Sequence, residues 1–436
     1  MTDPHAASRR RARPPRVPPP LLHPGERVRG SAILEENPEC GLVLWESYRN
    51  VGDWATTPRD RRVVGMFGPG AAERRAEQLA AAALPDGPAR AALEAVRGMV
   101  ADPALARPRA VALACRRLAA WAGERGRTAT QFYFAAAAAL CAPGEARHAY
   151  QAGRLARDLA RWDAAEAWLE FAVTAAKRRR DRETQALAVL GLGNSFYRRG
   201  FYQKARETHL AGLEIARRHN LREYCGRALH DLFVVSLDLR DTCAAEGYAR
   251  EALAAYGATH PNVPALAYDV AYFWLSQGYA SRALPVLRAV LPHLRHPDQR
   301  VRVLASAARA AAEIGDRIAY AELVRQVRMV GREPLAKGAF AAALFETALG
   351  ASRLYYQELA SRLLDEVLEV AHDRGEADVL ARAEDLRGRI AAGPPIEPIP
   401  PAAVQDSSPF AHELVSCLQT PEATVSGRRE ASLVGS

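Results

Sequence analysis

The chain has 436 residues, of which 49% are hydrophobic and 25% charged, values that allow a buried core and exclude a disordered or collagen-like chain. Alanine, leucine and arginine dominate while aromatic residues make up only 7%, a balance that favours helix over sheet. The net charge of +9 invites a nucleic-acid reading, but seven arginines against two acids lie within residues 1–30, so a strongly basic folded face is not expected.

Residues 1–30 also hold seven prolines, including Pro18, Pro19 and Pro20, and read as a disordered basic tail. The tail lacks the apolar stretch of a secretory signal. The longest apolar run, Phe132 to Ala142, is about half of the ~20 residues a membrane span requires. Cytoplasmic residence and no membrane partner are the expectation, and the Ala/Arg bias is that of a high-GC bacterial genome. The six cysteines (Cys40, Cys115, Cys141, Cys225, Cys243, Cys417) include no C-x-x-C pair, so they read as isolated thiols in a reducing compartment, with no metal site expected.

Residues 31–70 read as an N-terminal cap, with a short helix around Gly41–Tyr48 and Trp45 and Trp54 close by. The glycines of the Gly65–Gly70 stretch are followed by no Lys-Ser/Thr pair and do not match a phosphate-cradling loop. From residue 71 to 392 the periodicity is helical, broken by short Gly, Pro or Asp turns. Ala110–Trp121 and Thr128–Cys141 form a degenerate first pair. Gly153, Ala160, Trp162, Ala165 and Ala172 mark the next unit, whose second helix closes on the basic run Lys177–Arg180 followed by Arg182, where cations complement the helix dipole. Ala186–His219 is the clearest unit: Leu192, Gly193, Phe196, Gly200, Tyr202, Ala205 and Leu213 recur in the same frame. Further units carry Arg240, Ala245, Ala249 and Leu253, with Phe233 where a small residue is expected. Gly278, Ala283 and Leu291 follow, then Gly315, Tyr320 and Val327, then Ala348, Ala360 and Val367 with a lengthened turn around Arg353–Tyr356. Residues 376–391 read as a C-terminal capping helix. Residues 393–436 read as a proline-rich linker and disordered tail, in which the apolar patch Phe410–Leu418 could dock on a partner or back on the solenoid.

The residues of Ala186–His219 resemble a tetratricopeptide repeat: Leu192-Gly193, the aromatic Phe196, the turn at Gly200 and Tyr202, and Ala205 where two helices cross. The spacing of 37–40 residues exceeds the ~34 of the standard motif, so longer helices or turns are expected. The resemblance implies an all-α, right-handed superhelical solenoid of antiparallel helix pairs, with the first helix of each pair lining an inner groove. Carried over unit by unit, its inward positions are Arg147, Tyr150, Gln151, Arg154 and Arg157; then Asn194, Tyr197 and Arg198; then Arg227, His230 and Asp231; then Tyr268, Asp269 and Tyr272; and Arg302 and Arg309.

These positions are rich in Tyr, Arg and Asn, which offer rigid contact area with hydrogen bonds. Arg154, Asn194 and Arg198 together could present donors to a partner's carboxylate. The lysine–asparagine clamp of some family members is not reproduced, because Tyr150 and Arg154 stand in its places. No H-E-x-x-H, G-x-S-x-G or kinase-like set occurs. His293, His296 and Asp298 read as a solvated turn, and His230 and Asp231, being neighbours on a helix, diverge by about 100° and form no acid–base pair. The expectation is a non-catalytic scaffold or adaptor holding a peptide or helix, with no cofactor. The alternatives are a ligand-responsive sensor module of a bacterial signalling or transcription pathway and, third, an RNA binder.

Overall fold

The computed structural model describes residues 32–63, 70–81, 87–393 and 408–419. The basic tail, most of the Gly65–Gly70 stretch and the proline-rich run after Gly393 lie outside them. Among the described residues there is no strand. The first seven helices are α1 (Ala32–Glu36), α2 (Gly41–Thr56), α3 (Arg59–Val63), α4 (Ala71–Ala81), α5 (Pro88–Ala101), α6 (Pro108–Gly123) and α7 (Thr128–Cys141). The next seven are α8 (Ala146–Asp158), α9 (Trp162–Arg179), α10 (Arg182–Arg198), α11 (Tyr202–Arg218), α12 (Arg222–Asp238), α13 (Thr242–Tyr256) and α14 (Val263–Ser276). The rest are α15 (Ala280–Val290), α16 (Pro297–Glu313), α17 (Arg317–Gly331), α18 (Lys337–Arg353), α19 (Gln357–Arg374), α20 (Ala377–Ala392) and α21 (Pro409–Gln419). The chain divides into two compact units within α12, one ending at Val235 and the other beginning at Ser236.

The protein is an all-α helical repeat in which consecutive helices pack as pairs, the first of each pair here called A and the second B. What sets the pairs is their turn. From α8 onward every A helix reaches its B helix through three residues, and the middle one has a left-handed backbone: Ala160 (φ 54), Gly200 (φ 77), Arg240 (φ 58), Gly278 (φ 85), Gly315 (φ 79) and Tyr355 (φ 61). In each case the next residue's N–H reaches back to a carbonyl five residues earlier, as in Arg161→Ala156 (2.8 Å), Phe201→Phe196 (3.0 Å) and Tyr356→Ala351 (3.0 Å). This bond satisfies a carbonyl that the helix end leaves open. The turn around Arg353–Tyr356, expected to be lengthened, is therefore the same three-residue turn, with Tyr355 taking the strained conformation in place of glycine.

Five residues after each left-handed position the B helix crosses its partner, and there the side chains are Ala165, Ala205, Ala245, Ala283, Tyr320 and Ala360, all buried. Opposite them in unit 1, Gly153 and Gly193 allow the backbones to approach: a Cβ on Gly193 would lie 2.5 Å from the buried His209 ring, and one on Gly153 would lie 2.6 Å from Leu169 Cγ. Gly278 and Gly315 belong instead to the turns, so the four glycines that frame the repeat hold two different jobs.

Unit 1 begins with the cap. Trp45, Tyr48 and Trp54 of α2 are buried, and Tyr48 packs edge-on against Tyr133 and Phe134 of α7 at 5.1 and 6.2 Å. Glu36, just before, receives the N–H groups of Ala129 (2.9 Å) and Thr130 (2.8 Å), putting a carboxylate on the N-terminus of α7. With α1, α2, α6 and α8 all against it, α7 buries Phe132 through Ala142, which accounts for the longest apolar run of the chain. Cys115 and Cys141 prove not to be isolated: they meet between α6 and α7, where the hydrogen bond with Cys141, together with burial, pushes the Cys115 thiol well above its usual range.

In unit 2 the helices α14–α15, α16–α17 and α18–α19 form successive pairs, and α20 packs on α19 as the expected final helix. The tail expected to be disordered over 393–436 is corrected at its centre: Pro409–Gln419 forms α21, which docks back on α14 and α15.

Two substitutions test the turn and the crossing. Arg240→Gly relieves a left-handed non-glycine residue and is expected to raise stability by up to about 1 kcal/mol. Gly193→Ala forces a methyl into the immobile His209 ring and is expected to lower it by about 1–3 kcal/mol. Thermal and urea unfolding followed by circular dichroism measure both.

Candidate functional site

Counting back from each left-handed residue gives every A helix the same frame. Nine residues before it stand Gln151, Gly191, Asp231, Asp269, Ser306 and Glu346; six before it stand Arg154, Asn194, Val234, Tyr272, Arg309 and Leu349. Two before it stand Asp158, Arg198, Asp238, Ser276, Glu313 and Arg353. Positions spaced by three or four residues share a helix face, so these rows bring polar groups of consecutive A helices side by side.

In unit 1 the rows meet at Asp158. Its carboxylate accepts from Arg154 Nη1 (3.3 Å) and Arg157 Nη2 (3.2 Å) and forms an ion pair with Arg198 Nη1 at 3.5 Å, drawing α8 and α10 together. Arg154 also donates through Nε to Gln151 Oε1 at 3.2 Å. Three guanidiniums thus share one carboxylate. Burial, followed by the neighbouring Arg157, lowers the affinity of the Arg198 guanidinium for its proton, and Asp158 only partly offsets this. The Arg198 side chain keeps 38% of its surface exposed, whereas Arg157 keeps 9%.

Beside this cluster Asn194 donates to Asp231 Oδ2 at 3.4 Å, and His209 Nδ1 lies 3.6 Å from the same oxygen. His209 comes from the B helix α11, is fully buried, and has no hydrogen-bond partner on either ring nitrogen. Burial holds its pKa below the usual histidine range despite the pull of Asp231. Arg147 is exposed, stacks 5.5 Å from the Tyr150 ring and bonds the Tyr224 hydroxyl, whose pKa burial raises. Tyr197 turns toward Tyr202 at the A–B turn, with ring centroids 5.7 Å apart, and Arg227 pairs along its own helix with Glu223 at 2.7 Å. His230 packs near Phe233 at 6.4 Å while Asp231 faces Asn194, so these neighbours do diverge.

The arginines and asparagine expected to present donors to a carboxylate already meet two of this chain's own, Asp158 and Asp231. The Arg154–Asp158 contact follows from side-chain reach, since an arginine six residues before the turn meets an acid two residues before it at i, i+4 spacing.

Unit 2 builds a denser network. Glu346 on α18, 7% exposed, accepts from Tyr272 Oη of α14 (3.2 Å), Arg309 Nη1 of α16 (3.0 Å) and Arg382 Nη2 of α20 (3.4 Å). Arg309 Nε further donates to Glu313 Oε1 at 2.8 Å. Burial opposes the charge on Arg309, but Glu346 and Glu313 outweigh it and raise its pKa. Tyr272 is raised by burial and then by Glu346. Tyr268 is raised by burial, against a hydrogen bond with Ser306, and its ring lies 6.1 Å from that of Tyr272, so the two tyrosines do share a face. Asp269 is half-buried beside them, and Arg302 is exposed on α16. His293, His296 and Asp298 do not act together: His293 bonds the Leu418 carbonyl while His296 pairs with Asp298. Among the described residues no cluster of metal-ligating groups occurs, and no helix is long and apolar enough to cross a membrane.

Asp158, Glu313, Glu346 and Arg382 were absent from the sequence-derived face. Carrying the position two residues before the turn, held by Arg198 in the clearest unit, into every A helix finds Asp158 and Glu313. Glu346 was hidden because Tyr355, unlike glycine, does not announce the turn that fixes its frame.

No family model matches the chain, and no curated protein matches it. Among solved structures it is similar to BtubC (BKLC) from P. vanneervenii, with 17% identity over 56% of this chain and 91% of that one and a TM-score of 0.40. It is also similar to a Rap protein complexed with competence and sporulation factor, with 10% identity over 78% of this chain and 99% of that one and a TM-score of 0.42. Superpositions this loose assign neither ligand nor activity to the chain.

Two outcomes are expected from these networks. Glu346→Ala strips three donors of their acceptor and leaves Arg309 buried, a loss of about 3–5 kcal/mol that a lowered Tm will report. Because the folded pKa of His209 lies below its unfolded value, its contribution is intact above about pH 6.5 and is lost as pH falls from there through the folded value. His209→Leu should flatten that part of the Tm–pH curve.

Proposed function

We propose that this protein is a non-catalytic binding module of the tetratricopeptide type, and that the A-helix face of unit 1 takes an acidic segment of a protein partner. The observation that carries the reading is the convergence of Arg154, Arg157 and Arg198 on the single carboxylate of Asp158. Positive charge exceeds negative at that point, Arg198 is half-exposed, and Arg147 stands exposed on α8, the helix that carries Arg154 and Arg157. An arriving carboxylate would relieve the repulsion between Arg157 and Arg198 and accept bidentate hydrogen bonds from planar guanidiniums.

The tetratricopeptide reading is supported by the recurrence of one turn geometry at 37–40-residue spacing with a buried residue five positions on, alanine in five of the six. Tyr150 and the Tyr224 hydroxyl beside Arg147 add rigid aromatic area of the kind that dominates binding hot spots. Unit 2 is a poorer candidate for the primary contact, because its arginines are already matched by Glu346 and Glu313.

The test uses the full-length chain with fluorescent peptides of equal length that are glutamate-rich, lysine-rich or neutral. Anisotropy should show preferential binding of the acidic peptide, and Arg198→Glu should weaken it at least tenfold. Arg325→Glu, outside this face, should leave it unchanged. Equal binding of acidic and basic peptides, or indifference to Arg198→Glu, defeats the reading. So does single-stranded RNA binding more tightly than the acidic peptide with the same dependence on Arg198.

A further inference from the structure

The helix α21 is unlike the others. It has eleven residues, and an isolated helix of that length is marginal in water, so its order depends on what it lies against. Its pattern is strictly amphipathic: Phe410, Ala411, Leu414 and Leu418 are buried, while His412, Glu413, Ser416 and Gln419 are exposed. The aromatic and the two leucines fall at i, i+4 and i+8, one stripe along the helix.

The surface beneath it is built from unit 2. Trp274 of α14 meets the Phe410 ring edge to face, at 5.9 Å and 89°. Arg250 of α13 places its guanidinium 4.5 Å from the centre of the same ring. At the other end His293 Nε2 donates to the Leu418 carbonyl at 2.8 Å, satisfying one of the acceptors that a helix C-terminus leaves open. The seat thus grips an aromatic at one end, a backbone carbonyl at the other, and leucines between. These features read the shape of a helix.

Two observations bear on how tightly α21 is held. It spends four apolar side chains on its seat, as many residues as α13 buries and fewer than the ten of α16. Trp274 Nε1 is also buried with no hydrogen-bond partner, so the occupied seat leaves a donor unsatisfied. In sequence, the stretch between α20 and α21 contains five prolines, at 394, 395, 398, 400 and 401, none of which can extend either helix far.

We propose that the surface formed by Trp274, Arg250, His293 and α15 is a docking site for an amphipathic helix, and that α21 is its resident ligand in cis, tethered and releasable as a unit while the repeat helices stay folded. A tether of this length holds α21 at a high effective concentration, so release is governed by a local equilibrium and not by the stability of the fold.

Hydrogen exchange on the 15N-labelled full-length chain tests this, with an unlabelled synthetic peptide spanning Ser408–Gln419 as the probe. At millimolar peptide the amides of 409–419 in the chain should exchange at least fivefold faster while those of α14 and α15 do not change. A control peptide carrying Phe410→Asp and Leu414→Asp should have no effect. In a second measurement, the full-length chain with those same two substitutions should bind fluorescent wild-type peptide saturably, at least tenfold more tightly than the unsubstituted chain does. The proposal is overturned if 409–419 exchange only together with α14 and α15, which would make α21 ordinary core. It is also overturned if the substituted chain, with α14 and α15 still protected, binds no peptide, or if sedimentation shows α21 exchanging between two copies. Should the substituted chain fail to fold, the exchange measurement on the unsubstituted chain decides by itself.

Discussion

Everything regular in this protein depends on reversing a helix in three residues. A helix cannot turn back so abruptly without a residue of opposite handedness, and the carbonyl stranded at its end must find a donor. One left-handed residue and one backward N–H bond meet both needs at 160, 200, 240, 278, 315 and 355. Because the turn is always the same length, the crossing that follows is always five residues on, filled by alanine in five pairs and by Tyr320 in the sixth. The polar rows of the A helices are the same arithmetic run backwards. A single local conformation therefore sets the packing and the alignment of the polar A-helix face.

The repeat was legible in the sequence where the turn used glycine. Gly200, Gly278 and Gly315 announce a positive φ, and the buried Ala205, Ala283 and Tyr320 five residues later confirm the frame. Where Ala160, Arg240 or Tyr355 takes the same backbone, only phase with the neighbours reveals it, and at Tyr355 the phase was misread as a longer turn. The basic contacts of the face were legible as residue types at a spacing. Their pairing was not, because whether Arg154 waits for a partner or grips Asp158 depends on side-chain rotamers and on the distance between two A helices. His209 carried no signal at all: nothing in a B-helix histidine says that a glycine opposite will let it sink out of water. The α21 segment was visible as an apolar patch, but its seat required Arg250, Trp274 and His293, scattered over more than forty residues of sequence, to be brought together.

The two units use these polar rows in opposite ways. In unit 2 a glutamate at the ninth position before the turn is matched by arginines from the helices on both sides, and the charges close on themselves. In unit 1 the acid sits two residues before the turn and faces three arginines. The first arrangement fixes neighbouring helices to one another, since a buried pair punishes loss of either partner more than its formation rewards. The second leaves positive charge in excess around one carboxylate.

The carboxylate of Glu36 on the N-terminus of α7 has a consequence for the order of events in synthesis. Each A–B pair can close as soon as its own few dozen residues leave the ribosome, since its contacts are local. The cap cannot, because the amides that Glu36 receives belong to residues more than ninety positions later. Until α7 emerges, Tyr48 lacks the Tyr133 and Phe134 rings it packs against. Helices α1 and α2 therefore cannot settle fully on their own, and must wait for a helix made long after them.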